Sequence, residues 1–103
     1  MAIFDDRKKQ FEEQFRHEQD LRFRITARAN RLFGEWAADL LGLSELEKER
    51  YAETVVHAQF AEPGVVAKVL GDLHANGFAA TEAELRSRLA GFMRSARRQI
   101  MTA

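Results

Sequence analysis

Cysteine is absent from the 103 residues, which excludes a disulfide scaffold, thiolate zinc sites and thiol catalysis, and fits a reducing cytosol. A single proline, six glycines and few β-branched residues leave little material for strands or hairpins. Net charge is also lacking, since sixteen Lys plus Arg balance sixteen Asp plus Glu, which argues against a dedicated polyanion binder. No apolar run approaches the length of a membrane span. The opening Met1-Ala2-Ile3-Phe4-Asp5-Asp6-Arg7 has no basic start followed by an apolar stretch, so no export signal is expected. Catalytic signatures are equally thin. The glycines are scattered singly and form no phosphate loop. His17, His57 and His74 stand apart, and Ser87 and Ser95 have no nearby His and acid in a recognised spacing. The expectation is a non-enzyme with no resident metal or cofactor.

What is present is helix-forming material: Ala, Leu, Glu, Arg and Gln dominate, and 46% of residues are apolar. One core is the most that such a length builds. Leu21, Ile25, Ala29, Leu32, Trp36, Leu40 and Leu43 are spaced by fours and threes and draw an apolar stripe along a first helix ending near Leu41-Gly42. Ser44-Glu45-Leu46-Glu47 reads as a capping box opening a second helix through about Gln59, with Tyr51 or Ala52, Val55, Val56 and Phe60 inward. Pro63 suits the first turn of a third helix whose inward residues are Val66, Val69, Leu70 and Leu73, stopped by Asn76-Gly77. Thr81 and Glu84 repeat the capping signature and open a fourth helix with the stripe Leu85, Leu89, Phe92, Ala96 and Ile100. Four amphipathic helices with short connections predict an all-α, compact four-helix bundle over residues 20–103.

Residues 1–19 differ. Phe4, Phe11 and Phe15 fall roughly on one helical face, but the chain between them is nearly all charged or amide. Either the rings extend the first helix onto the bundle, or the segment protrudes, loosely helical or partly disordered, and sets its rings into a partner's groove. Charge is uneven as well. Arg22, Arg24, Arg28 and Arg31 form an acid-free stretch, and Arg86, Arg88, Arg94, Arg97 and Arg98 follow Glu84 with no acid among them. Arg94, Arg97 and Arg98 complement the negative end of their own helix on one reading. On another, the two arginine-rich faces make an anion- or nucleic-acid-binding module, although aromatic platforms and groove-reading motifs are missing.

Phe4-Asp5-Asp6-Arg7 with Phe11 and Phe15, then Asn30-Arg31, Gly34-Glu35-Trp36-Ala37-Ala38-Asp39-Leu40-Leu41-Gly42, Tyr51-Ala52, Val55-Val56 and Phe60-Ala61-Glu62-Pro63-Gly64 resemble the zeta subunit of alphaproteobacterial ATP synthase over essentially the whole chain. The resemblance implies an inhibitor of ATP hydrolysis in which a four-helix bundle anchors the protein at the cytoplasmic face of the membrane-bound synthase. It further implies that the amino-terminal segment enters the interface among the alpha, beta and gamma subunits and blocks rotation. Carried onto this chain, residues 1–19 are the inhibitory segment, with Phe4, Phe11 and Phe15 as anchors beside Asp5 and Asp6, and with Arg7, Lys8 and Lys9 setting orientation. No nucleic acid or membrane insertion is implied. Some family members bind adenine nucleotide, at a site that no motif places here. One departure is visible: Val65-Val66 follow Pro63-Gly64 directly, where many relatives carry a short acidic insertion.

Overall fold

The computed structural model describes the backbone of residues 2–102 and the side chains of residues 6–102; the side chains of Phe4 and Asp5 lie outside it. Four α-helices and one short 3-10 turn account for the fold: α1 (Ala2–Leu40), α2 (Glu45–His57), η1 (Ala58–Phe60), α3 (Val65–Ala75) and α4 (Glu82–Thr102).

The punctuation follows local chemistry. Leu41-Gly42 ends α1 with Gly42 at φ 72°, a left-handed conformation that glycine adopts without steric cost. Ser44 then caps α2: its Oγ accepts from the Glu47 N–H at 3.3 Å, and the Glu47 carboxylate accepts from the Ser44 N–H at 3.2 Å. Lys48 Nζ reaches back to Asp39 at 3.0 Å and ties the start of α2 to the end of α1. Gly77, at φ 85°, stops α3 as the sequence predicts. At the start of α4 the Thr81 hydroxyl accepts from the Glu84 N–H at 3.2 Å.

Two boundaries differ from the sequence reading. The α-helical part of the second element ends at His57 and tightens into η1, so Phe60 turns outward and is mostly exposed. Pro63 precedes the third helix instead of opening it, because Gly64 takes the cap position at φ 99°.

In the bundle, α1 lies between α2 and α4, and α3 closes against the other three. The buried face of α1 therefore rotates along its length. Ile25 and Ala29 pack on Ala96 of α4, with Leu21, Leu32, Met93 and Ile100 around them. Phe33 and Ala37 join Val55, Val69, Leu73 and Leu85 in the main core. Gly34 and Ala38 are also buried, whereas Leu40, placed on the stripe by spacing, is exposed and Trp36 is half-buried.

Gly34 sets the closest approach. A Cβ at Gly34 would stand 2.8 Å from the Ala52 Cα and 3.1 Å from the Val55 Cβ, so this crossing requires glycine on α1. Across the bundle, the Tyr51 hydroxyl donates to Asp72 at 2.8 Å, and Lys68 holds the same carboxylate at 3.0 Å. Burial and that carboxylate push the Tyr51 phenol well above its ordinary value.

At 1.5 Å per residue, the 39 residues of α1 span about 58 Å, far beyond the reach of the other helices. The molecule measures 65 × 27 × 21 Å with a radius of gyration of 17.6 Å, against about 13 Å for a compact chain of this length. A single helix projecting from the bundle accounts for the difference.

Candidate protein-docking surface

The projecting part of α1 is the amino-terminal segment. Every described side chain from Asp6 to Asp20 is exposed, and Leu21 is the first to pack against the bundle. Phe15 therefore does not fold back onto the bundle, and the segment projects from it as a helix continuous with α1. Phe11 is 71% exposed and Phe15 54%.

Those rings prolong the face of α1 that the bundle buries. Phe11 stands eighteen residues before Ala29, and Phe15 eighteen before Phe33, which is about five full turns in each case. Ala29 and Phe33 are fully covered. The same apolar stripe thus runs into the segment and loses its covering partners. Charged side chains surround it: Asp6, Arg7, Lys8, Lys9, Glu12 and Glu13 are all exposed. Full burial of a phenylalanine gains about 1.5–3 kcal/mol, so two uncovered rings represent a substantial reserve of binding energy.

A second aromatic feature lies at the root of the segment, where Phe23 stacks on Phe60 with centroids 6.2 Å apart and an interplanar angle of 24°. The sequence reading missed it. Phe60 follows Val56 by four residues and looks inward on an uninterrupted helix, and only the change to a 3-10 turn carries it to Phe23.

The opposite end of the molecule holds an open groove of about 950 Å³ between the end of α1, the α3–α4 connection and α4. Trp36, Leu40 and Phe78 line it, and the Arg88 guanidinium lies 4.7 Å from the Trp36 ring centre. Ser87 and Ser95 border the groove, but Ser95 Oγ accepts from Arg98 at 3.3 Å and no histidine lines it.

His57 and His74 serve local structure, whereas His17 is exposed on the projecting part of α1. His57 Nδ1 meets the Glu53 backbone carbonyl at 3.0 Å, not its carboxylate, and His74 Nε2 donates to the Ala80 carbonyl at 2.7 Å. Among the described residues no group of three His, Cys, Asp or Glu side chains could hold a metal ion, and no helix is long and apolar enough to cross a membrane.

The arginines divide by use. Arg86 pairs with Glu82 at 2.6 Å. Arg28 Nε donates to Gln99 at 2.8 Å and links α1 to α4. Arg94, Arg97 and Arg98 do not cap the end of their helix, because α4 continues to Thr102 and its last turn holds no basic residue, beyond the range over which the terminal dipole acts.

The fold and the uncovered rings together define an all-helical bundle with one long projecting helix as its candidate docking surface. The family model for ATPase inhibitor subunit zeta matches residues 1–99, and the chain belongs to that family. A protein of known solution NMR structure is similar to it at 42% sequence identity and a TM-score of 0.67, covering 80% of this chain and 96% of that one. No curated protein matches the chain.

Proposed function

We propose that this chain is a regulatory, non-catalytic inhibitor of ATP hydrolysis by the catalytic head of a rotary ATP synthase. Residues 1–19 act as the inhibitory segment, and the bundle from residue 20 onward is the anchor. The segment enters the interface among the alpha, beta and gamma subunits from the cytoplasmic side. The observation that carries this reading is the uncovered stripe on α1, in a chain whose family is that of ATPase inhibitors.

The physical route is steric. Phe11 and Phe15, with Phe4 beyond them, leave water on docking, while Arg7, Lys8 and Lys9 fix the segment's orientation through charges at its rim. A helix grown from a folded bundle needs no separate nucleation, so ordering the segment opposes docking less than it would for an isolated peptide. Once seated, the wedge prevents closure or release at one catalytic interface. Because rotary sites work in sequence, one jammed site arrests the others. No cofactor takes part.

The test is ATP hydrolysis by purified catalytic head from the same organism, titrated with the full chain, with a form lacking residues 1–19, and with the isolated segment. Inhibition by the full chain and its loss on truncation is the expected outcome. Retained inhibition by the truncated form assigns the effect to the bundle and overturns the wedge.

A further inference from the structure

We infer that Phe23 and Phe60 form a second docking point for the same ATPase, an apolar contact at the root of the inhibitory segment that adds affinity without taking part in the block. The inference rests on the reading that residues 1–19 engage the catalytic head. Stacking satisfies these rings only in part, since Phe23 stays 53% exposed and Phe60 69%. Isolated exposed hydrophobic residues are ordinary on a soluble protein, but two large rings brought together from elements 37 positions apart in sequence form a patch.

The patch is held in place before any partner arrives. Phe23 rides on α1, which is continuous through this point. Phe60 ends η1, and that turn is pinned from below: Asn30, buried to 3% exposure, donates from Nδ2 to the Gln59 side chain at 3.3 Å. Asn30 is the one buried polar residue among those described. The Ala61 N–H to Ala58 carbonyl bond at 3.3 Å closes the turn. A preorganised aromatic pair loses little freedom on docking, which is the property of an interface anchor.

Its size and position select the occupant. A phenylalanine buries about 150–250 Å² when fully covered, so two partly covered rings offer well under the roughly 800 Å² per partner that a stable complex requires. The pair therefore suits an extra contact within a larger interface and is too small to hold two copies of the chain together alone. Phe23 lies eight residues from Phe15, about 12 Å along one rigid rod. A partner that grips Phe11 and Phe15 is brought alongside the root of the helix. The partner feature that fits is an apolar depression on the ATPase surface beside the mouth of the segment's binding site.

Titration of ATP hydrolysis with the full chain and with Phe60→Ala, Phe23→Ala and Phe60→Leu tests this. Both alanine variants should raise the half-inhibiting concentration about tenfold, with complete inhibition still reached at saturation and only a small fall in melting temperature from the lost stack. Phe60→Leu, which keeps apolar area, should recover most of the loss. Equal potency of Phe60→Ala and the parent chain overturns the inference while leaving the wedge intact. No inhibition by the parent chain itself removes the reading beneath it. Sedimentation of the free chain separates the remaining occupant: a dimer that Phe60→Ala dissolves, with potency unchanged, assigns the patch to a second copy and overturns the proposal.

Discussion

Phe15 and Phe33 lie on one face of α1, about five turns apart, yet Phe33 is fully buried among α2, α3 and α4 while Phe15 stands more than half in water. The same residue type on the same face is thus core at one end of the helix and uncovered at the other, where the proposed function gives it to a partner. Phe33→Ala should cost about 3–5 kcal/mol of stability, because it opens a cavity that close-packed neighbours refill only in part. Phe15→Ala and Phe11→Ala should leave the melting temperature unchanged and weaken inhibition at least about tenfold. Parallel thermal melts and ATPase titrations of the three variants read both effects, and an unchanged inhibition curve removes the ring concerned from the docking surface.

Gly34→Ala probes the crossing of α1 and α2. The added methyl would meet the Ala52 backbone, which cannot rotate away as a flexible side chain can, so the helices must separate. In most exposed helices this exchange stabilises, through Ala's higher helix propensity. Here it should destabilise by about 1–3 kcal/mol, the usual cost of overpacking. Chemical denaturation measures it, and a stabilised variant would show that the crossing is looser than its geometry.

The Ser44 cap gives a prediction in pH. Hydrogen bonds from the Ser44 side chain and then its backbone N–H hold the Glu47 carboxyl below its ordinary value. A depressed carboxyl contributes stability that is present above the unfolded-state value and is lost as pH falls through the folded one. Ser44→Ala should cost about 1 kcal/mol at neutral pH, a fall of roughly 4–8 °C in melting temperature for a domain of this size. The difference between parent and variant should shrink on acidification below about pH 4. Melting curves at neutral and acidic pH check it, and a difference independent of pH would place the loss outside the Glu47 carboxylate.

Tyr51 makes the opposite case. Burial first, then the bond to Asp72, raise its phenol. A raised acid contributes stability that is fully present below the unfolded-state value near pH 10 and declines as pH rises above it. Tyr51→Phe removes the bond yet leaves Asp72 paired with Lys68, so it should cost only about 1 kcal/mol. The variant should also lose less stability than the parent between neutral pH and pH 11, as denaturant titrations at the two values would read.

Local signals in the sequence carry most of this architecture. Ser44 and Glu47 mark a helix start by their spacing, and Gly42 and Gly77 mark stops by the left-handed backbone they permit. Leu40 and Phe60 went astray for tertiary reasons. A stripe of fours and threes assumes one covering direction, whereas α1 faces α4 at Ile25 and Ala29 and then α2 at Gly34, so the buried face turns away from Leu40. Phe60 depends on where the second helix tightens into a 3-10 turn, which a Gln59 contact with Asn30 helps to fix from 29 residues away. The candidate docking surface was half legible. Phe11 and Phe15 stand out because their surroundings are charged, but the Phe23–Phe60 pair exists only in three dimensions.

The basic residues of the segment give a kinetic prediction. Arg7, Lys8 and Lys9 are exposed and form no ion pair within the described residues. Charges at the edge of an interface act mainly on the rate of encounter, whereas buried rings act mainly on the rate of escape. Replacing Arg7, Lys8 and Lys9 together with glutamine should therefore slow the onset of inhibition several-fold and flatten its dependence on salt, with a smaller change in recovery after dilution. Phe11→Ala should do the reverse, speeding recovery and leaving the salt dependence of onset as in the parent chain. Time courses of ATP hydrolysis at two ionic strengths separate the two variants. Equal effects of both on onset and recovery would mean that the positive charges and the rings enter the partner together, and that the three cations belong to the buried part of the wedge instead of its rim.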